Sequence, residues 1–503
     1  MRATRFIFLS GCLGILAVQT EAAPFHLRVN DAAGKPLPCR IHLYNAAGKP
    51  LFTKGLPAWR DHFVCDGNAK LNLPAGQYRY EIERGPEYET AAGKVDLKKD
   101  GSQLAIPLKR IADLAKAGWF SGDLHIHRLL KDIPLLIRAE DLHIAPVITW
   151  WNNRNLWKGQ PIPANILGEL PGPRFIHAMA GEDEREGGAL LYFHLNEPLA
   201  ITGSTREFPS PMKFLTAARK HDGVWVDIEK PFWWDVPLWL ASGRCDSIGL
   251  ANNHMCRSSV YASEAWGRPR DSKRLPAPLG NGYWTQEIYY HILNCGLRLP
   301  PSAGSASGVL PNPVGYNRVY VKIDGKLTWE KWWRGLRAGR SFVTNGPLLR
   351  VRANGRWPGA VFKKAGGALE LKLEIDLTTK DRVRALEVIH NGTVTEKIPC
   401  ANQLHQKLQA TVKLKTGGWF LLRAITDKKT TFRFASTAPF YVEVGKAPRI
   451  SRRSAQFFLD WVKQRQARVP NKLKDPAKLR EVLAHHQHAQ KFWEQKLRQA
   501  NAD

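Results

Sequence analysis

The chain has 503 residues, too many for one compact core, so its length implies several domains. Hydrophobic residues make up 44% and charged residues 24%, a globular balance that excludes a disordered chain. Lys and Arg number 74 against 45 Asp and Glu, and the resulting charge of +29 attracts polyanions without saying anything about fold.

Met1 to Ala23 reads as an export signal. Arg2 and Arg5 precede the apolar run from Phe6 to Val18, and Ala22 and Ala23 are small enough for cleavage. That run is too short to span a bilayer and no later one is longer, so the expectation is a periplasmic or secreted protein without a transmembrane segment. Leu9-Ser10-Gly11-Cys12 offers lipid anchoring as the lesser alternative. Export permits disulfides, and Cys39 with Cys65, inside one β domain, is the expected pair.

Residues 24–110 alternate apolar and polar positions between turn residues, as in FHLRV, CRIHLYN, AKLNLP and YRYEIE, which predicts a β-sandwich. GKPLPCRIHLYNAAGKPLF followed by LPAGQYRYEI resembles carboxypeptidase-regulatory-like sandwiches, a likeness of fold alone.

Residues 111–345 change character. Strand candidates GDLHIH, IAPVITWW, RFIHAMAGE, ALLYFHL, VWVDIE, DSIGLAN and LPPSAGSAS are separated by helical stretches such as IPLLIRAEDLH, MKFLTAARKH, WDVPLWLASG and TQEIYYHILNCGLR. The expectation is a (β/α)7 barrel with its chemistry where strands end. Residues 346–445 return to strand-turn alternation and predict a second β-sandwich. Residues 446–503 are basic and helical; His485, His486 and His488 read as a solvated helix face. The fold class is therefore multidomain α/β plus all-β.

The chemistry is expected in the barrel. His125 and His127 stand two apart on a strand, point to one face and can converge on one cation. Asp227 and Glu229 share a face in the same way, and paired carboxylates push one pKa upward, which suits general acid/base work. Lys230 either compensates that charge or binds an anionic substrate group. Asn252, Asn253 and His254 end the next strand and add hydrogen-bonding capacity and a proton-transfer group. Trp150 and Trp151 are expected to face the pocket. Trp157, Trp225, Trp233, Trp234 and Trp284 lie nearby in the sequence. Pro301 to Pro313 reads as a loop over the opening, serving as a substrate lid.

GWFSGDLHIH resembles the opening motif of PHP (polymerase and histidinol phosphatase) metallohydrolases of the CehA/McbA branch. AGEDE is similar to the family's next motif and implies a metal carboxylate at Glu182, and ALLYFHL implies a ligand at His194. NRVYV and WWRGLRAGRSFVTNGPLL resemble that branch's exit from the barrel. Other family ligands are replaced: Thr149-Trp150-Trp151, Lys230-Pro231 and Gly304-Ser305-Ala306-Ser307-Gly308 stand where acidic and histidine motifs are expected. The resemblance thus implies one divalent cation, Zn²⁺ or Mn²⁺, on His125, His127, Glu182 and His194. It implies hydrolysis of an ester, phosphoester or similar bond. Glycan cleavage by paired carboxylates in a Trp-lined cleft is the competing expectation, and an inactive glycan-binding protein the third. The substrate is expected to be a small molecule or oligosaccharide, anionic to match the charge, and nucleic acid is not expected.

Overall fold

The computed structural model describes residues 22–445 and 448–503. The segment read as an export signal, with Cys12, lies outside the described residues apart from Ala22 and Ala23, which open the first strand.

That strand, Ala22–Asn30, buries Ala23, Phe25, Leu27 and Val29 and turns the residues between them outward. Period-two alternation is what allows a sheet to cover a core with one face. It pairs antiparallel with Asn68–Pro74 and parallel with Ser102–Pro107. A second sheet, containing Cys39–Tyr44, His62–Cys65 and Gly76–Glu83, supplies Ile41, Phe63 and Ile82 to the same core. The C-terminal β region follows the same plan. Leu348–Ala353, Leu369–Thr378 and His405–Leu414 form one sheet, and Val383–His390 and Gly418–Thr426 face it across Leu371, Leu373, Val388 and Leu422. The chain is mixed α/β with β-rich flanks.

Between these flanks, seven chain segments close a ring. In order they are Trp119–Gly122 with its continuation to His127, Ile144–Trp151, Arg174–Arg185, Gly188–Phe193, Trp225–Ile228, Ser247–Ala251 and Pro301–Ala303. Leu124 N–H donates to Ala303 O at 3.0 Å and His127 N–H to Ser307 O at 2.8 Å, which joins the last segment to the first. Helices α1 (Ile133–Ala139), α2 (Pro211–Ala218), α3 (Val236–Ser242) and α4 (Gly280–Asn294) connect four of the steps. Two features depart from strict β/α alternation. Short strands instead of a helix link Ile144–Trp151 to Arg174–Arg185. Gly188–Phe193 is a hairpin partner, antiparallel to both neighbours. Helix α5 (Trp329–Arg337) then packs Trp332 and Trp333 into the ring's apolar surround, capped at its start by the Thr328 hydroxyl.

The tail forms two long helices, α6 (Arg452–Lys472) and α7 (Pro476–Arg498). Phe458, Trp461 and Trp493 are buried against the ring's helices. Burying each such side chain contributes roughly 1.5–3 kcal/mol. His486 corrects the reading of a solvated face: it is 2% exposed and its Nε2 lies 3.3 Å from the buried Asp235. Among the described residues no helix is long and apolar enough to cross a membrane.

Candidate metal centre

Three stretches of the ring present acidic or basic side chains two residues apart: His125 and His127, Glu182 and Glu184, Asp227 and Glu229. Alternation sends both members of each pair to one face. The register places Trp151, Glu182, Leu191 and Asp227 side by side on the inner face. Trp150, Gly181 and Tyr192 fall on the opposite face by the same register.

The donor atoms close into a small triangle. His125 Nε2 and His127 Nε2 are 2.9 Å apart, His127 Nε2 is 3.1 Å from Glu182 Oε2, and His125 Nε2 is 3.4 Å from the same oxygen. Ligands at about 2.0–2.2 Å from a cation such as Zn²⁺ lie about 3–3.5 Å from one another, so the triangle has the edges of a coordination shell. Glu182 Oε2 is buried and makes no hydrogen bond. The other nitrogen of His125, Nδ1, lies 3.3 Å from Glu229 Oε1. A carboxylate there keeps the ring proton on Nδ1 and turns the Nε2 lone pair toward the triangle, the usual support of a metal-bound imidazole. These residues fit a divalent cation.

Charge follows geometry. Burial opposes ionisation of His125, yet Glu182 and Glu229 overcome it and raise the imidazole to about 10. Burial lowers His127. Glu182 is held well below the carboxylate range by His125 and His127 despite its burial. Glu229 is likewise pushed up by burial, but Lys230 and His125 bring it down to about 2. Lys230 Nζ contacts both Glu229 oxygens, Trp233 Nε1 donates to Oε2 at 2.8 Å, and Asn253 Nδ2 donates to Oε1 at 2.8 Å. Glu229 is therefore an ionised, fully engaged carboxylate, which corrects its expected general acid/base role. Of the pair, Asp227 is the carboxyl that burial raises, to about 7. It takes hydrogen bonds from Ser247 and Ser302, deeper in the ring.

The segment from Gly304 to Gly308 packs as scaffold around this centre. Gly304 lies so close to His125 that a Cβ there would sit 2.5 Å from the histidine's own Cβ. Gly308, at φ +101°, backs onto the His127 carbonyl in the same way. Asp123 accepts from the backbone N–H groups of His125 and Ser305 at 3.0 Å and of Gly315 at 2.6 Å. The segment from Pro301 to Ser307 is buried throughout. It is the seventh wall of the ring rather than a lid.

Several expected residues lie elsewhere. His194 follows the antiparallel strand, whose end points away from the triangle. Phe193 pairs with Trp225, at the start of the strand that ends at Ile228, just before Glu229. His194 Nδ1 meets Gly223 O at 2.9 Å, and its ring packs 4.5 Å from Trp333. It is no fourth ligand. Trp150 is buried over Gly181 and Tyr192, outside the pocket, whereas Trp151 stands 4.8 Å from His127 and is half-buried. Asn252 braces backbone, donating to Gly249 O and accepting from His254 N–H. His254 stacks on Tyr261 and packs at a tilt against Phe232 near Lys230, and burial with that charge lowers it to about 3. Trp225 and Trp234 are core, Trp157 bonds Thr149, and Trp284 packs toward the tail.

Glu184 was missed by the sequence reading. It is half-buried, accepts from Trp151 Nε1 at 3.2 Å, and is raised to about 7 by burial and the neighbouring Glu182. The signal was available: Glu184 stands two residues from Glu182, as His127 does from His125.

A second cluster, His42, Asp61 and His62, joins the first β region. Arg40 Nε donates to His42 Nε2 at 3.1 Å, so the proton of a neutral His42 ring sits on Nδ1, facing Asp61 at 3.2 Å. His42 therefore has no free lone pair to offer, and Asp61 bonds His62 Nδ1 and the Tyr44 hydroxyl, so the cluster reads as a polar brace. A small cavity of about 50 Å³ where the flanks meet the ring is lined by Arg40, Glu83, Arg257, Asp381 and Arg433, among others. These pair with one another, which makes it a charged joint remote from the triangle's chemistry. Set against known family models, curated proteins and solved structures, the chain matches none.

Proposed function

We propose that the chain is an exported hydrolase built on a PHP-like barrel of the CehA/McbA type, working with one divalent cation, Zn²⁺ or Mn²⁺, on His125, His127 and Glu182. The observation that carries the reading is the triangle of 2.9, 3.1 and 3.4 Å with Glu229 on the far nitrogen of His125. Two imidazoles and one carboxylate leave positions open for water and substrate, as catalytic sites require. When bound, such a cation polarises the scissile ester or phosphoester oxygen and makes water acidic enough to attack near neutral pH.

The chain's own residues do the rest. Glu229 orients His125, and Lys230, Trp233 and Asn253 hold Glu229 in place. Lys230 also supplies fixed positive charge where the family resemblance expects further ligands. Trp151 walls one side and keeps Glu184 beside the opening, where it can exchange a proton with substrate. Glycan cleavage by Asp227 and Glu229 is the weaker reading, because both carboxylates are already bonded within the ring.

Elemental analysis of purified protein tests the cation: the wild type carries near one equivalent of Zn²⁺ or Mn²⁺, and His125→Ala/His127→Ala carries none. Equal, negligible metal in both ends the proposal. A screen of aryl esters, carbamates, phosphoesters and oligosaccharides, with and without chelator, tests the reaction. Chelator-sensitive ester or phosphoester cleavage supports it, and chelator-resistant glycan cleavage lost in Glu229→Gln supports the competitor.

A further inference from the structure

Two parts of the chain meet immediately beyond His127. On the ring side Arg128 follows His127, and Arg154 lies 5.5 Å from the ring of Trp151. On the other side a hairpin of the first β region, Ala58–Trp59 paired with His62–Cys65, reaches the ring. Trp59 Nε1 donates to Leu310 O at 2.7 Å, and Arg128 Nη2 donates to Ala58 O at 3.0 Å. Leu310 belongs to the segment that backs onto His127 at Gly308. Arg60, at the hairpin tip, is exposed and adopts φ +52°, a conformation a side chain rarely takes without support. The support is the brace behind it: Asp61 lies 3.0 Å from His62 Nδ1 and 3.2 Å from the Tyr44 hydroxyl.

Arg60 and Arg128 share one platform. Their guanidinium carbons lie 5.2 and 5.5 Å from the centre of the Trp59 ring. Arg128 is 9% exposed. Every other arginine buried to that degree among the described residues (Arg40, Arg84, Arg185, Arg318, Arg423 and Arg465) meets a carboxylate. Arg128 meets none. A buried cation without a counter-ion is costly unless something else supplies the negative charge.

We propose that Arg60 and Arg128, set on Trp59, bind an oxyanion of the substrate, so that the N-terminal β region completes the site and selects substrates bearing a carboxylate or sulfate. A guanidinium offers a planar fork that matches two oxygens of such a group, and stacking on an indole holds the fork ready. The assignment rests on the reading that the ring triangle is where substrate reacts.

The test is titration of the full chain, followed by calorimetry, with galacturonate, galactose 6-sulfate and neutral galactose at physiological ionic strength, which screens the long-range pull of the net charge. The wild type should bind at least one of the two anionic sugars about tenfold more tightly than galactose. Arg60→Ala and Arg128→Lys should each abolish that preference. Arg128→Lys keeps the charge and guards against simple misfolding, which melting curves check. Arg384→Ala, on the second β region, should keep the preference. Equal affinity for all three sugars, a preference that survives both Arg60→Ala and Arg128→Lys, or an equal loss in Arg384→Ala overturns the proposal. The same titration in His125→Ala/His127→Ala separates it from the metal reading. Anion preference without metal upholds the Arg60–Arg128 site while the hydrolase reading fails. Chelator-sensitive hydrolysis without anion preference does the reverse.

Discussion

Four groups converge on the Glu229 carboxylate: His125, Lys230, Trp233 and Asn253. Its work is to fix a neighbour, so Glu229→Gln, which keeps shape and loses charge, should weaken metal affinity about 10- to 100-fold in a competition assay with a chelating dye. Gly304→Ala should act on the same histidine by contact alone. The added methyl meets His125 Cβ at 2.5 Å, and the expected result is a comparable loss of metal with little change in secondary structure by circular dichroism. His194→Ala is the contrasting case. Its ring lies between Gly223 and Trp333, so it should keep full metal content while melting at a lower temperature.

At the scale of elements, alternation explains both what the strands reveal and what they conceal. The i and i+2 rule brought His125 with His127, and it also separates Trp150 from Trp151, adjacent residues that cannot face one pocket. Strand direction is the concealed part. ALLYFHL reads as apolar in either orientation, and its antiparallel placement sends His194 to the far end of the ring. The same cross-strand logic makes a prediction in the first β region. Cys39 and Cys65 are direct partners on antiparallel strands, both fully buried, with their sulfurs facing at 3.9 Å. Protein folded under oxidising conditions should show the peptides of Cys39 and Cys65 joined by mass spectrometry. Cys39→Ala/Cys65→Ala should then lose about 3 kcal/mol in denaturant unfolding relative to the oxidised form.

For the molecule as a whole, the tail is a clamp. Arg465 of α6 reaches Glu207 with both terminal nitrogens, at 2.9 and 2.6 Å, and Asp235 at 2.7 Å, all three nearly inaccessible. Arg465→Ala strands two buried carboxylates and should cost about 3–5 kcal/mol, read as a lower melting temperature with metal content retained. Buried neutral histidines set the acid limit. Burial brings His62 and His143 to about 3, from 6.5 in an exposed ring. Below that ordinary value the unfolded chain takes up protons that the fold refuses. The contribution of these two histidines is therefore full above about pH 6.5 and is lost as the pH falls toward about 3. Melting temperatures measured down that range should drop steadily, and less steeply in His143→Asn.

Local pattern alone pointed to the β-rich flanks, to the mixed α/β region between them and to the pairing of His125 with His127. Period-two burial and the reach of a strand are written residue by residue, as Ala23, Phe25, Leu27 and Val29 illustrate. Glu182 was legible too, through resemblance, while Glu184 beside it was overlooked. What only the tertiary structure decided are contacts between residues far apart in the chain: Gly304 against His125, Trp59 against Leu310, Asp235 against His486. It also decided which carboxylate is ionised. Asp227 and Glu229 look alike in VWVDIEK, but Lys230, Trp233 and Asn253 surround only one of them, and a pKa belongs to surroundings that sequence spacing does not specify.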